Sequence, residues 1–263
     1  MVELTRTVRF AVGRHTRGSA SVHNGYAGHP SLAGLGAHYE LDISCRGEPD
    51  PVSGYCLNIT RIDAAARERA IPIVERNAAA AGSDPTRTLA AITPALAQCL
   101  PGLARVRWRL SPTYSLEMEP RDMTSALIRQ SFEFAAAHRL HVPTLSDEEN
   151  RRLFGRCNNP AGHGHNYRVE PCVRVTLGAD TPTAFTLQDL ERITAETLIE
   201  HLDHTHLNVD VPEFRDLNPS VEHIARVCYE RLAPAIESAG AALVRVTVWE
   251  TEKTSCVYPA DAD

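Results

Sequence analysis

The second half of the chain repeats, in the same order, a set of patterns found in the first half. Three pairs of segments match: GLGAHYELDI with GHGHNYRVEP, DPTRTLAAI with NPSVEHIAR, and VRWRLSPTYSLEM with VTVWETEKTSCVY. Because the spacing between the matches is also similar, the pattern indicates an internal duplication. The 263-residue chain is therefore predicted to contain two copies of one module. The charged stretch EMEPRD predicts a domain boundary near residue 120, with modules at 1–120 and 121–263.

The order of elements is clearest in the second copy. QSFEFAAAHRL and HNYRVEPCVRVTL are predicted strands, and ALVRVTVWE alternates as a half-buried strand. Two amphipathic helices lie between them, TLQDLERITAETLIEHL and NPSVEHIARVCYERLAPAI. Thr186 and Asp189 predict a capping box for the first helix, and Asn218 is the predicted N-cap of the second, followed by Pro219. With TSCVYP as a short last strand, this order predicts an α+β fold.

The composition is that of a globular protein and excludes several classes of function. The chain is 43% hydrophobic and 23% charged, with a formal net charge of -6. It therefore lacks the excess of positive charge that favours nucleic-acid binding. No apolar run approaches the ~20 residues of a membrane span, and the first ten residues lack the apolar block of a signal peptide. Seven scattered cysteines favour a reducing compartment, where Cys172 and Cys228 would be small buried hydrophobes. We therefore expect a cytoplasmic protein without a membrane or nucleic-acid partner.

Two histidines stand one residue apart at the start of a predicted strand. Residues i and i+2 of a strand share a face, so His163 and His165 can reach a common point. Gly162 and Gly164 allow the backbone to turn there and leave room for a bound species. A catalytic zinc site uses three protein ligands, and His138, at the end of the preceding strand, is the natural third. The alternative, typical of an isolated H-x-H, is a surface turn.

Three further features could carry chemistry, and each has an ordinary alternative. The Cys157 thiol would be acidified beside a metal or an imidazolium, but alone it is typical of a plain loop thiol. Asp203 and His204 end the first helix, where a carboxylate can orient an imidazole, although histidines also suit helix ends because of the dipole. Glu250 shares the apolar face of its strand, which predicts a carboxylate in need of partners. If the strand stops at Trp249, Glu250 is an ordinary surface charge.

Five motifs over roughly residues 128 to 259 resemble the 6-pyruvoyl-tetrahydropterin synthase family, which includes the 6-carboxytetrahydropterin synthases. The motifs are FAAAHRL, GRCNNPAGHGHNY, LDHTHLN, NPSVEHIA and VWETEKT, in the family's order. The resemblance implies two tandem tunnelling-fold modules, each an antiparallel four-stranded sheet with two helices on one face. Copies of this fold associate into a β-barrel with active sites at subunit interfaces, so a homo-oligomer is expected.

The resemblance also implies a role for each of nine residues. By position, His138, His163 and His165 would be the zinc ligands, and Cys157 would be the general base. Asp203 and His204 would form the proton-relay pair. Glu250 would hold the pterin's guanidine-like edge, and Ser220 and Glu222 would lie near the pterin. The implied substrate is 7,8-dihydroneopterin triphosphate. Zinc would hold its side-chain hydroxyls and acidify the adjacent C–H, the Cys157 thiolate would take the proton, and triphosphate would leave. Mg²⁺ accompanying the triphosphate is a second candidate ion.

The spacing between the cysteine and the histidine pair bears on the subclass. The pattern C-x5-H-x-H, from Cys157 to His165, resembles the pyruvoyl-forming enzymes, whereas carboxy-forming enzymes commonly have C-x3-H-x-H. FEFAAAHRL and NPSVE look more bacterial, which keeps 6-carboxytetrahydropterin synthesis as the alternative. A non-catalytic pterin-binding scaffold is the third hypothesis. Such a scaffold would be expected to lose at least one of the implied catalytic or metal-binding residues, and none is missing.

The first copy lacks the residues that would carry this chemistry. The counterparts of His163, His165, Glu250 and Glu222 are Leu35, Ala37, Leu110 and Thr88, and that of His138 is about Arg14, with His15 adjacent. Apolar residues of the strand pattern persist in HYELDI and VRWRL, so this copy is predicted to fold but to be catalytically silent. It would cover strand edges that a single module leaves exposed.

Overall fold

The computed structural model of the chain describes residues 1–13, 36–80, 83–178 and 184–260. The chain divides into two compact units. The first is Met1–Ile128 with Thr176–Thr183, and the second is Arg129–Val175 with Ala184–Asp263. Both contain strands and helices, which confirms the predicted α+β class. Within the described ranges, no helix combines the length and the apolar character needed to cross a membrane.

The first unit packs helices against one face of an antiparallel sheet. Its strands are β1 (Val2–Val12), β2 (Ala37–Gly47), β3 (Leu103–Ser111), β4 (Tyr114–Glu119) and β5 (Asp122–Gln130), and its helices are α1 (Ile59–Ala65), α2 (Ile71–Ala78) and α3 (Pro85–Ala97). Strands β1 to β4 pair antiparallel in chain order. Alternate residues such as Leu41, Ile43 and Val106 are fully buried, and so are Ile62 and Leu89 on the helices. The boundary between the two units falls within β5.

The second unit also begins with two long strands and ends with a pair of strands, with helices before that pair, and it adds further short elements. Its strands are β6 (Phe132–His138), β7 (His163–Thr176), β8 (Thr205–His206), β9 (Ala242–Thr251) and β10 (Thr254–Tyr258), and its helices are α4 (Asp147–Phe154), α5 (Leu187–Thr194), α6 (Glu200–Leu202), α7 (Leu207–Asp210) and α8 (Val221–Ser238). Strands β6, β7, β9 and β10 pair antiparallel in that order, and β8 pairs in parallel with the other edge of β6. Helix α8 packs on β9 and β10 through buried side chains such as Ile224 and Leu232.

A local irregularity recurs in the two units. A π-helical segment, Ala66–Ala70, joins α1 to α2, and a second one, Ala195–Ile199, joins α5 to α6. The same departure from α-helical hydrogen bonding at the same place is what an internal duplication predicts. Strand β5 and the two-residue β8 lie outside a count of four strands per module. The four-stranded count and the oligomeric barrel therefore stay predictions.

The prediction for the start of α8 is wrong, and the reason is a tertiary contact. The N-cap is Ser220, not Asn218. The Asn218 side chain instead accepts a hydrogen bond from the backbone amide of His141 at 3.0 Å. In the first unit the matching Asp84 is a true N-cap, accepting from the amide of Thr86 at 2.8 Å. Because Asn218 is used to hold the segment after β6, the helix begins later.

Two other local predictions are confirmed. The capping box at α5 is present, with the Asp189 amide 3.2 Å from the Thr186 hydroxyl and the Thr186 amide 2.9 Å from the Asp189 carboxylate. Cys172 and Cys228 are buried free thiols. Burial raises the pKa of Cys228 to about 12, so this thiol is inert at neutral pH.

Candidate active site

The pairing of β6 with β7 brings three histidines together. His138 lies directly opposite His163 in the antiparallel register, and His165 follows two residues later on the same face of β7. The ring centroids of His138 and His163 are 4.5 Å apart, and those of His163 and His165 are 4.8 Å apart. One ring nitrogen from each of the three lies within 4.8 Å of the others, so the cluster could hold a metal ion.

Hydrogen bonding prepares His138 to act as a ligand. Its Nδ1 lies 2.7 Å from the carbonyl oxygen of Pro219, which can only accept, so Nδ1 carries the proton and Nε2 keeps its lone pair. The side chain is fully buried, and this burial lowers the pKa of His138 to about 4. The imidazole is therefore neutral at pH 7. Metal-binding histidines are commonly oriented in this way, by a hydrogen bond that the other ring N–H donates to a backbone carbonyl.

Buried polar atoms at the centre of the cluster point to a cation. Within the described residues, Nε2 of His165 is buried and has no hydrogen-bond partner. Nε2 of His138 and Nε2 of His163 face each other at 3.2 Å. Glu250 Oε1, at the end of β9, lies 3.6 Å from Nε2 of His138 and 3.8 Å from Nε2 of His165. Imidazole nitrogens with a carboxylate beside them are a donor set that suits zinc and other transition metals, so these residues fit such an ion.

Glu250 lies where strand alternation predicts. It follows Val246 and Val248, both fully buried, on the same face of β9, and 21% of its side chain is exposed. Its carboxylate faces the histidine cluster. The sequence predicts a carboxylate in need of partners, and in the structure its nearest partners are the histidines.

Of the two glycines around His163, geometry requires only one. Gly162 has φ +72°, the left-handed region that other residues rarely adopt. A Cβ at Gly162 would lie 2.7 Å from Nε2 of His206 and 3.0 Å from the carbonyl oxygen of His138. A Cβ at Gly164 would meet only the carbonyl oxygen of Ala136, at an ordinary 3.6 Å.

We expect Gly162→Ala to lower the free energy of unfolding by about 2 kcal/mol, because the left-handed conformation costs ~1 kcal/mol and the added methyl displaces its neighbours. Metal binding should weaken too, since one neighbour of the methyl is the backbone of His138, a residue of the cluster. Gly164→Ala is the matched control and should change stability by less than ~0.5 kcal/mol. Urea unfolding of the metal-free chain measures both, and equal losses in the two variants would contradict this interpretation.

Cys157 lies in a 3₁₀ turn, Gly155–Asn158, that is tied to the segment after β6. Its carbonyl accepts a hydrogen bond from the amide of Leu140 at 2.8 Å. Burial, and then the Glu250 carboxylate, raise the pKa of the Cys157 thiol. Burial first, then Glu250 and last Cys157, raise the pKa of Tyr167, so the thiol lies within electrostatic range of this residue on β7. The surrounding protein thus opposes the thiolate. The predicted acidification would have to come from a cation at the histidines.

Asp203 and His204 form the predicted pair, but on the other edge of β6. Asp203 Oδ1 accepts from the amide of Ala135 at 2.8 Å, and its Oδ2 lies 2.8 Å from Nδ1 of His204. These contacts, the Ala135 amide first, lower the pKa of Asp203. The carboxylate therefore orients the imidazole as the sequence predicted. The His204 side chain is 85% exposed, and β6 lies between this pair and β7.

Ser220 and Glu222 stand at the first turn of α8, directly after the carbonyl that holds His138. The Ser220 hydroxyl lowers the pKa of Glu222 by hydrogen bonding. The Glu222 side chain is exposed, and its charge, after burial, raises the pKa of Cys256 on β10. These two residues are therefore not part of the histidine cluster.

Sequence reasoning missed three groups at this site. Tyr167, one step further along the face of His163 and His165, is fully buried and stacks on Phe134 with ring centroids 5.0 Å apart. Extending the two-residue period by one step would have found it. The Pro219 carbonyl and the ring of His206 under Gly162 carry no signal in the sequence, because both act through contacts between distant segments.

The metal-free chain should lose stability as the pH falls from about 6.5 to about 4. An unfolded His138 takes up a proton near its ordinary pKa of 6.5, whereas the buried imidazole does so only near 4. Between these two pH values the unfolded state binds more protons than the folded state, so the free energy of unfolding decreases as the pH is lowered. His138 accounts for a decrease of up to about 3 kcal/mol. In urea unfolding at a series of pH values, His138→Asn should flatten this slope and His201→Asn should not. Equal slopes in the wild type and His138→Asn would contradict the assignment.

The family model described as 6-pyruvoyl tetrahydropterin synthase matches residues 127–261. The 6-pyruvoyl tetrahydrobiopterin synthase of Homo sapiens is 38% identical over 136 residues, which are 52% of this chain and 92% of the human protein. That of Poecilia reticulata is 41% identical over 125 residues, 48% of this chain and 84% of the relative. The solved structure of Caenorhabditis elegans 6-pyruvoyl tetrahydropterin synthase matches with a TM-score of 0.47 and 32% identity, over 51% of this chain and 94% of that one.

The match to the family model covers just over half of the chain and includes all nine residues to which the sequence motifs imply a role. The relatives are matched over most of their own length. The histidine cluster lies inside the matched segment. On these grounds the chain belongs to the 6-pyruvoyl tetrahydropterin synthase family.

Proposed function

We propose that this protein is a lyase that converts 7,8-dihydroneopterin triphosphate to 6-pyruvoyl-tetrahydropterin and triphosphate. The observation that carries the proposal is the convergence of three imidazoles, with ring nitrogens within 4.8 Å of one another, inside the segment that matches the family. The relatives compared above carry the pyruvoyl name, and the C-x5-H-x-H spacing agrees with it. Both favour the pyruvoyl product over the carboxy product.

The metal in this proposal is zinc, held by His138, His163 and His165. Bound zinc would act as a Lewis acid toward the hydroxyls of the substrate side chain and make the adjacent C–H more acidic. The protein's part is to keep His138 neutral and oriented through the Pro219 carbonyl. Glu250 sits beside the same point, where it can hold a substrate N–H edge with charge-assisted hydrogen bonds.

Cys157 is the proposed general base. Its thiolate would take a proton from the substrate carbon, and the electron pair of that C–H bond would remain on the substrate. The C–O bond to the triphosphate then breaks, and its electron pair leaves with the phosphate oxygen. Because burial and Glu250 raise the pKa of the thiol, this role depends on the charge of a bound cation.

The Asp203–His204 pair is proposed to serve a site in a neighbouring copy. Its imidazole is oriented by a carboxylate at 2.8 Å, yet it is 85% exposed and lies across β6 from the cluster. An oriented acid–base group facing solvent fits a site that a second subunit completes. This agrees with the homo-oligomer that the family resemblance implies.

We also propose that the first unit binds no metal. Ala37 begins β2, Leu110 lies in β3, and Thr88 is buried in α3, where its hydroxyl accepts from Asn77 at 2.9 Å. The other counterparts, Leu35, Arg14 and His15, lie outside the described residues. Within the described residues, the one group of three metal-binding side chains is the histidine cluster of the second unit.

Product analysis tests the function. The full-length, zinc-loaded chain is incubated with 7,8-dihydroneopterin triphosphate, and the pterin product and inorganic triphosphate are quantified. Equimolar pyruvoyl pterin and triphosphate are expected. Acetaldehyde with a carboxy pterin would assign the alternative activity. No turnover with one zinc per chain would favour a pterin-binding scaffold.

A further inference from the structure

A pocket of about 700 Å³ opens beside the histidine cluster in the second unit. His163 forms part of its wall, so the pocket adjoins the candidate metal site. Three arginines also line it: Arg139, Arg151 and Arg156. They come from three different places, namely the residue after β6, the last turn of α4 and the 3₁₀ turn that carries Cys157.

The ionised side chains that line this pocket carry more positive than negative charge. Asp147 is the single carboxylate in its lining. Within the described ranges none of the three guanidiniums forms an ion pair, although Arg139 Nε donates to the carbonyl of Asn158 at 3.3 Å. Guanidinium groups that converge without carboxylate partners repel one another and suit a ligand that carries several negative charges. Their planar N–H forks match phosphate oxygens in particular.

The walls that carry these arginines are held by buried side chains. Asn150 of α4 is fully buried and bonds both the amide and the carbonyl of Val142, at 2.8 and 2.9 Å. Asn158, at the end of the 3₁₀ turn, donates to the carbonyl of Leu140 at 2.8 Å. The three arginine-bearing segments are thus fixed to one another through the stretch that follows β6. The backbone that carries the three arginines is therefore held by contacts within the chain itself.

We propose that this pocket binds the polyphosphate of the substrate, with Arg139, Arg151 and Arg156 as the cationic contacts. The inference rests on the proposed function for the identity of the ligand. A polyphosphate in this pocket would lie beside the part of the same substrate molecule that the metal binds. This position is required, because the leaving group must be close to the reacting carbon. When the C–O bond breaks, its electron pair moves onto a phosphate oxygen, and paired guanidiniums stabilise the added charge.

Binding of inorganic triphosphate, which is also the released product, tests the proposal. Isothermal titration uses the full-length, metal-free chain, because triphosphate chelates divalent cations. Arg151→Gln and Arg156→Gln should each weaken binding roughly tenfold, the loss expected for one charge-assisted contact. Arg152→Gln is the matched control, since Arg152 shares the last turn of α4 with Arg151 but does not line the pocket. Its affinity should stay within about twofold of wild type, as expected for an exposed charge.

Three outcomes would overturn the proposal: no saturable binding to the wild type, unchanged affinity in both pocket variants, or an equal loss in Arg152→Gln. Phosphate-free 7,8-dihydroneopterin provides the second readout. Its binding to the zinc-loaded chain should be the same in wild type and pocket variants, and a parallel loss would mean that the arginines act on folding. Turnover of the full substrate tests the proposed function separately. If the chain shows no turnover but still binds triphosphate through the arginines, the proposed function is refuted and the polyphosphate-binding site is supported.

Discussion

His163→Ala should reduce the metal content from one ion per chain to nearly none and lower turnover by on the order of 10³-fold or more. His163 is one of three imidazoles that converge, and its loss leaves two histidine ligands and a carboxylate at longer range. A site that has lost a ligand binds zinc weakly, and without the metal the substrate C–H loses its main source of acidity. Elemental analysis after dialysis, combined with a turnover assay, measures both quantities.

The control for this variant is His201→Ala. His201 is an exposed histidine of α6 that is not part of the cluster, so its removal should leave the metal content at one per chain and turnover unchanged. A His163→Ala chain that retains one tightly bound ion would refute the ligand assignment. Two ions per wild-type chain would refute the proposal that the first unit is silent.

Cys157→Ala should keep the metal and the fold but lose turnover by roughly 10²- to 10⁴-fold, the usual contribution of a general base. The thiol is partly buried within electrostatic range of Glu250, and both features raise its pKa. A bound cation at the adjacent histidines is what would return the thiolate to neutral pH. Alkylation of Cys157 should therefore be slow in the metal-free chain and faster in the zinc-loaded chain.

Cys99→Ala is the matched control for the thiol. Cys99 is likewise a partly buried free cysteine, but it lies in the first unit, which is proposed to carry no chemistry. Its loss should change neither turnover nor metal content. Wild-type rates in Cys157→Ala would end the general-base proposal and direct attention to His204.

Much of the site could be predicted from the sequence because its spacing is local. His163, His165 and Tyr167 share a face because a strand has a period of two, and His138 joins them because neighbouring strands pair in register. The Thr186–Asp189 capping box and the Asp203–His204 contact are equally local, since the partners are at most three positions apart in the chain. Backbone geometry alone sets such distances, and the sequence states them directly.

Other features of the site were decided only by the tertiary structure, because they depend on contacts between residues that are distant in the sequence. The Pro219 carbonyl that orients His138 is 81 residues away along the chain, and the His141 amide that diverts Asn218 from capping α8 is 77 residues away. The raised pKa of Cys157, the place of the Asp203–His204 pair across β6, and the convergence of three arginines beside His163 are of the same kind. Residue spacing cannot predict them, because burial, charge proximity and shared walls arise only when separate segments pack together.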